Sequence, residues 1–145
     1  MIEPTVFTWA LSIIGIIIYT PTMYLEYLAA FKPDSQKTKD LLVGKGQDYP
    51  DKTYAAFCRG HGWADLIIFF FVLAGCVGVL LGHRWGYIFW FAGAGVTLYA
   101  HTLLLFLEGK HIFNDWGPLA FFTYGWALWV YWAVIVLFYS FGRLH

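Results

Sequence analysis

A histidine and an aspartate four residues apart share one face of a helix. His61 and Asp65 stand in that relation at the head of the apolar run from Leu66 to Leu73. Ionisable groups at membrane depth are costly enough to mark function by default. Glu26, flanked by Tyr24, Leu25, Tyr27 and Leu28, is a carboxyl inside an apolar turn. His101 and Glu108 lie seven residues apart, nearly on one helical face, with His101 about 10 Å deeper by the helix rise. Three chemistries fit such groups. Two carboxyls in a dry, aromatic site take up different protonation states, so one serves as acid and the other as base. Two histidines and two carboxylates also match iron or zinc ligation in helical bundles. Against a metal, no Glu-x-x-His pair is present, and His101 and Glu108 stand two turns apart. Haem between His61 and His101 would need ligands from different depths. The spacing therefore favours a site without metal or cofactor. The third chemistry is binding without turnover, with Glu26 or Asp65 pairing with an amine or a lipid head group.

The elements that hold these groups follow from hydropathy. Of 145 residues, 60% are hydrophobic and only 12% charged, about half the charged share of a soluble domain. The expected class is an all-α, polytopic membrane protein, a four-transmembrane-helix antiparallel bundle in one domain covering 1–145. Its spans are expected at about 5–31, 57–81, 87–107 and 118–141. The chain opens Met-Ile-Glu-Pro with no basic segment ahead of the first apolar run, so that run reads as an anchor, not a removable signal. Pro21 is expected to kink the first span. Zero formal net charge gives no sign of a nucleic-acid partner. The 22% aromatic content exceeds what interfacial belts need, so some rings are expected to line an interior surface. Cys58 and Cys76, 18 residues apart on one expected helix, would lie about 27 Å apart and cannot pair. The polar connection 32–56 is either a lid over the site or a solvated loop. Six Lys and Arg in 32–59, with Lys110, against Arg84 and Arg143, would place that loop in the cytoplasm.

Depth then gathers the ionisable groups. With alternating spans, Glu26, His61, Asp65 and Glu108 all fall at the long-loop side, and one shared polar pocket open to one leaflet is the economical arrangement. Each group also has a plainer role. Glu108 stands beside Gly109-Lys110 as an interfacial residue would, and His61 can simply pair with Asp65. His83 and His111 are expected in solvated turns.

With these residues placed, the pattern resembles the EXPERA superfamily, which includes the emopamil-binding sterol isomerases and the sigma-two receptor. In Tyr19-Thr20-Pro21-Thr22-Met23-Tyr24-Leu25-Glu26 a proline precedes an acid by five residues, as in that receptor's first helix. Gly44-Lys45-Gly46-Gln47-Asp48 is similar to the isomerases' loop before helix 2, and Asp65 stands where they carry a glutamate. Tyr99-Ala100-His101 followed by Leu107-Glu108 is similar to their Tyr-Gly-Asp run ending in Glu, with His101 in place of the aspartate. Pro118-Leu119 opens the fourth span, and Trp132 falls on a helix 4 tryptophan. Thr22 replaces their helix 1 histidine, and Trp129 their helix 4 asparagine. The family's termini are cytoplasmic, opposite to the charge count.

The resemblance implies proton transfer on a sterol-like or isoprenoid lipid, by a double-bond isomerase or a related cyclase-type enzyme. Glu26 and Asp65 are the expected acid and base, with His61 and His101 tuning or relaying protons. Thr22, Tyr99, Glu108, Tyr124, Trp129 and Trp132 are the expected substrate contacts, the tryptophans facing developing positive charge. The alternative is a receptor-like binder of hydrophobic amines or lipids, and behind it a metal- or haem-binding bundle. The expected partners are the bilayer, a hydrophobic ligand and, in a homodimer, a second copy. The compartment is the endoplasmic reticulum for a eukaryotic chain, or the inner membrane for a bacterial one.

Overall fold

The inward face of the first helix carries a polar stripe beside its buried leucines and alanines. In α1, Val6–Phe31, the buried positions include Thr8, Ser12, Gly15, Tyr19, Thr22 and Glu26, spaced alternately by four and three residues. Ile13, Ile17 and Phe31 on the other faces are half or more exposed. A soluble helix has the reverse polarity, since water rewards the burial of its apolar stripe. Apolar outside and polar inside suits a helix solvated by hydrocarbon.

The computed structural model describes residues 1–112 and 128–145, and for 103–112 the backbone alone. Among the described residues every regular element is a helix. After α1 come α2, Gln36–Leu42; α3, Lys52–Leu80; α4, Arg84–Ile112; and α5, Leu128–Leu144. Both α1 and α3 are long and apolar enough to cross a membrane. Residues 118–127 of the expected fourth span, with Tyr124, lie outside the described residues.

Three boundaries differ from expectation. Helix α3 begins at Lys52 because Asp51 caps it, its carboxylate accepting from the Tyr54 N–H at 2.8 Å. Helix α4 runs on to Ile112, through residues expected to start a turn. Helix α2 lies inside the expected loop, N-capped by Ser35, and its seven residues are too few to show a periodic stripe. Pro21 lies on an exposed position within α1, and the helix continues through it.

Glycines and small residues set the packing. Helices α1 and α3 run antiparallel: Glu26 lies near Gly62, Tyr19 against Phe69, and Gly15 near Cys76. A Cβ on Gly15 would stand 2.8 Å from the Trp132 ring and 3.2 Å from Cys76 Sγ. Helices α3 and α4 form a tight hairpin in which a Cβ on Gly86 would come within 2.3 Å of the Val79 nitrogen. The turn between them uses Gly82 at φ +73°, whose carbonyl accepts from the Ile2 N–H at 2.8 Å. Helix α5 packs along α4 and touches α1, closing the ring.

Hydroxyls tie the end far from the long loop. Tyr139 OH lies 2.7 Å from both Thr5 Oγ1 and Thr8 Oγ1, and Thr8 Oγ1 is 3.3 Å from Tyr87 OH. In the middle of the bundle, Trp90 Nε1–H donates to Cys76 Sγ at 3.3 Å, and Trp132 Nε1–H donates to the Leu11 carbonyl at 2.9 Å. Cys58 and Cys76 are both buried, and no disulfide joins them. The connection around α2 is pinned to α1. Lys37 donates to Tyr24 OH at 2.7 Å, Thr38 Oγ1 to the Lys32 carbonyl at 2.7 Å, and Tyr49 OH to the Pro33 carbonyl at 2.8 Å.

Candidate functional site

Gly62 lets the site form. A Cβ there would lie 2.9 Å from the Glu26 carbonyl oxygen, 2.9 Å from the Ala30 nitrogen and 2.9 Å from Ala29 Cβ. The backbone of α1 therefore crosses α3 at its closest between His61 and Asp65. This crossing carries the Glu26 side chain onto the His61–Asp65 face.

One ligand atom from each of Glu26, His61 and Asp65 lies within 4.8 Å of the other two. His61 Nε2 is 3.1 Å from Asp65 Oδ2 across one helical turn. Glu26 and Asp65 are 3% and 2% exposed, whereas the His61 side chain keeps 15% of its surface. The imidazole of His61 is stacked on Phe57, one turn earlier, at 5.8 Å and 7°. Trp63 packs on Phe31 at 4.4 Å, covering the α1–α3 crossing from outside.

His101 reaches the same region from α4. Its Nδ1–H donates to the Thr97 carbonyl at 2.9 Å, which leaves Nε2 as the lone-pair nitrogen of the neutral ring. Asp65 and His61 both act on it electrostatically. The Trp129 ring meets it edge-on at 6.1 Å and 70°. Further into the bundle, away from the long connection, lie polar groups without well-formed hydrogen bonds: the Tyr19 and Thr97 hydroxyls, which face one another, and the Trp129 indole N–H. All three side chains belong to buried residues.

Of the expected site residues, the structure brings together Glu26, His61 and Asp65, with His101 within electrostatic reach of Asp65 and His61. Thr22 is buried one turn before Glu26, with its hydroxyl donating to the Ile18 carbonyl at 3.0 Å. Trp129 joins the group through His101. Trp132 lies deeper, edge-on to Tyr19 at 5.1 Å and to Trp90 at 5.8 Å, away from the carboxylates. Tyr99 is 68% exposed and faces out of the bundle. The side chain of Glu108 and all of Tyr124 lie outside the described residues. Sequence reasoning missed Gly62, Tyr19 and Thr97. The signal for Gly62 was present, since a glycine between two ionisable residues on an apolar helix marks a close approach.

The electrostatics limit what this group can be. Two bare carboxylates less than 5 Å apart repel by about 3 kcal/mol even at an effective dielectric of about 20. The group therefore holds positive charge among its members, either as a proton on a carboxyl or imidazole or as a bound cation. On the loop side an open groove of about 410 Å³ is lined by Pro33, Asp34, Ala55, Ala56, Arg59, Gly60 and Trp63. It lies on the neighbouring face of α3.

No protein-family model, curated protein or solved structure matches this chain.

Proposed function

We propose that this chain is a four-span membrane protein whose working centre is the buried group Glu26, His61 and Asp65, acting by proton transfer on a hydrophobic ligand from the bilayer. The observation that carries the reading is the convergence of two buried carboxyls and an imidazole, from α1 and α3, within 4.8 Å. Such a group has an acid and a base at hand: one carboxyl keeps a proton that the other lacks. A double-bond shift uses both. The acid protonates one alkene carbon, and the base takes a proton from the carbon beside the resulting cation. His61, partly exposed at the rim, exchanges protons with the long-loop side, and His101 with Trp129 flanks the interior. The sterol-like or isoprenoid character of the ligand rests on the EXPERA resemblance alone. The exposed apolar faces of α1 and α3 support the membrane setting.

The same carboxyls would also hold a hydrophobic amine without turnover. Lipid extraction of the purified protein, followed by mass spectrometry, identifies the ligand. Incubation with that ligand then shows whether a double bond moves. Glu26→Gln and Asp65→Asn should each abolish turnover while circular dichroism keeps its helical signal. Turnover retained in both variants would refute the reading. Binding without product would favour the receptor-like form.

A further inference from the structure

We infer that the positive charge held by Glu26, His61 and Asp65 is a first-row divalent metal ion, of the zinc or iron type, bound with an open coordination position. The inference rests on the reading that these residues form the working centre, and it replaces the shared proton with a cation: with the ion bound both carboxyls are ionised ligands, and the proton for transfer would sit on a water at the open position.

The donor set comes first. One imidazole nitrogen and two carboxylate oxygens are the hard-to-borderline ligands that zinc, iron and manganese take. The 3.1 Å between His61 Nε2 and Asp65 Oδ2 is close to the separation of two ligands at about 2.1 Å from one ion. The three residues come from two helices whose crossing is fixed by Gly62, so the site is built by the backbone. Three protein ligands with room for a fourth partner is the pattern of catalytic sites, whereas structural sites are closed by four.

The second observation lies on the interior side. Tyr19 OH and Thr97 Oγ1, on residues 0% and 1% exposed, face one another without closing a well-formed hydrogen bond, and the buried Trp129 Nε1–H has no acceptor in good geometry. Asp65 acts electrostatically on Tyr19 and on His101, which places these groups beside the cluster. An unmatched indole donor beside a loosely matched hydroxyl pair leaves a place for a polar guest. A water or small oxygen ligand on the metal's open position, held from below by these groups, gives them one. His101 stands outside the three-ligand group: its Nδ1–H is committed to the Thr97 carbonyl, which leaves Nε2 as an acceptor for a polar group nearby. The sequence expectation of a site without metal rested on the missing Glu-x-x-His pair and on the two-turn spacing of His101 and Glu108; the three donors gathered here depend on neither.

The test uses the full chain purified without a polyhistidine tag, in lipid nanodiscs, after chelator treatment. Zn²⁺ is titrated in competition with a fluorescent chelator, and Co²⁺ is added as a visible-absorption probe. One equivalent per chain is expected, with the ligand-field bands of a low-coordinate Co²⁺ site. Glu26→Gln, His61→Ala and Asp65→Asn should each weaken Zn²⁺ binding by at least about 100-fold, beyond the loss expected of outer-shell changes. His83→Ala, at an exposed position of the α3–α4 turn, should change nothing. Failure of the unaltered protein to bind one equivalent overturns the inference, as does binding that persists in Glu26→Gln and Asp65→Asn. If metal fails while those variants still abolish turnover, the proton-transfer reading stands alone. If metal binds and turnover of the extracted lipid survives both variants, that reading falls and the metal site remains.

Discussion

Substituting Gly62 by alanine tests whether the α1–α3 crossing assembles the site. The added Cβ would meet backbone atoms of Glu26 and Ala30 at 2.9 Å, where carbon contacts want about 3.5 Å or more. The helices must part by at least about 0.6 Å, because neither contact is a flexible side-chain tip. Such overpacking costs about 1–3 kcal/mol. Alanine also gains about 1 kcal/mol of helix propensity over glycine, which would mask part of the loss. Gly60, two residues earlier on α3, removes this ambiguity: its Cβ would meet nothing within 4 Å. Gly60→Ala should be neutral or stabilising by up to about 1 kcal/mol. Gly62→Ala should then fall below Gly60→Ala by about 1–3 kcal/mol, the clash alone. Reversible unfolding in mixed micelles, followed by circular dichroism, measures both. Equal stability of the two variants, or a more stable Gly62→Ala, would refute the claim that Gly62 sets the crossing.

Other outcomes follow from the same structure. Tyr139→Phe deletes the hydroxyl that lies 2.7 Å from both Thr5 and Thr8, and should lower the unfolding free energy by about 1–2 kcal/mol. Burial pushes the Tyr49 phenol, in the later part of the long connection, up to about 12, and its hydroxyl donates to the Pro33 carbonyl. The neutral form is the one the folded chain favours. Its contribution is therefore complete below about pH 10, the unfolded value, and is lost as pH rises through the folded one. The difference in phenolate absorbance between the unaltered protein and Tyr49→Phe should show that late titration.

Much of the arrangement was legible because antiparallel helices obey simple rules. The end of α1 lies beside the start of α3, so Glu26, His61 and Asp65 could be placed at one level from spacing alone. What spacing could not show was azimuth. Tyr99 lies only two residues from both Thr97 and His101, and two residues carry a side chain to the opposite face of a helix; it faces outward. Trp132 lies three residues beyond Trp129, nearly a turn further from the long-loop end, so Trp129 meets His101 and Trp132 meets Tyr19. The polar stripe of α1 was in plain view as Thr8, Ser12, Tyr19, Thr22 and Glu26. It is easily missed, since a run rich in isoleucine reads as uniformly apolar until one asks which face is buried. Helix α2 escaped notice because a capping serine and two local turns define it, not a stripe.

The central claim is that Glu26 on α1 and Asp65 on α3 act as one unit around shared positive charge, a proton or a bound cation. A double-mutant cycle on unfolding free energy, with Glu26→Gln, Asp65→Asn and the double variant, tests it most directly. A shared charge predicts a coupling of at least about 1 kcal/mol, because removing one carboxyl changes what the other costs. Effects that add to within about 0.5 kcal/mol would show two independent carboxyls and contradict the account.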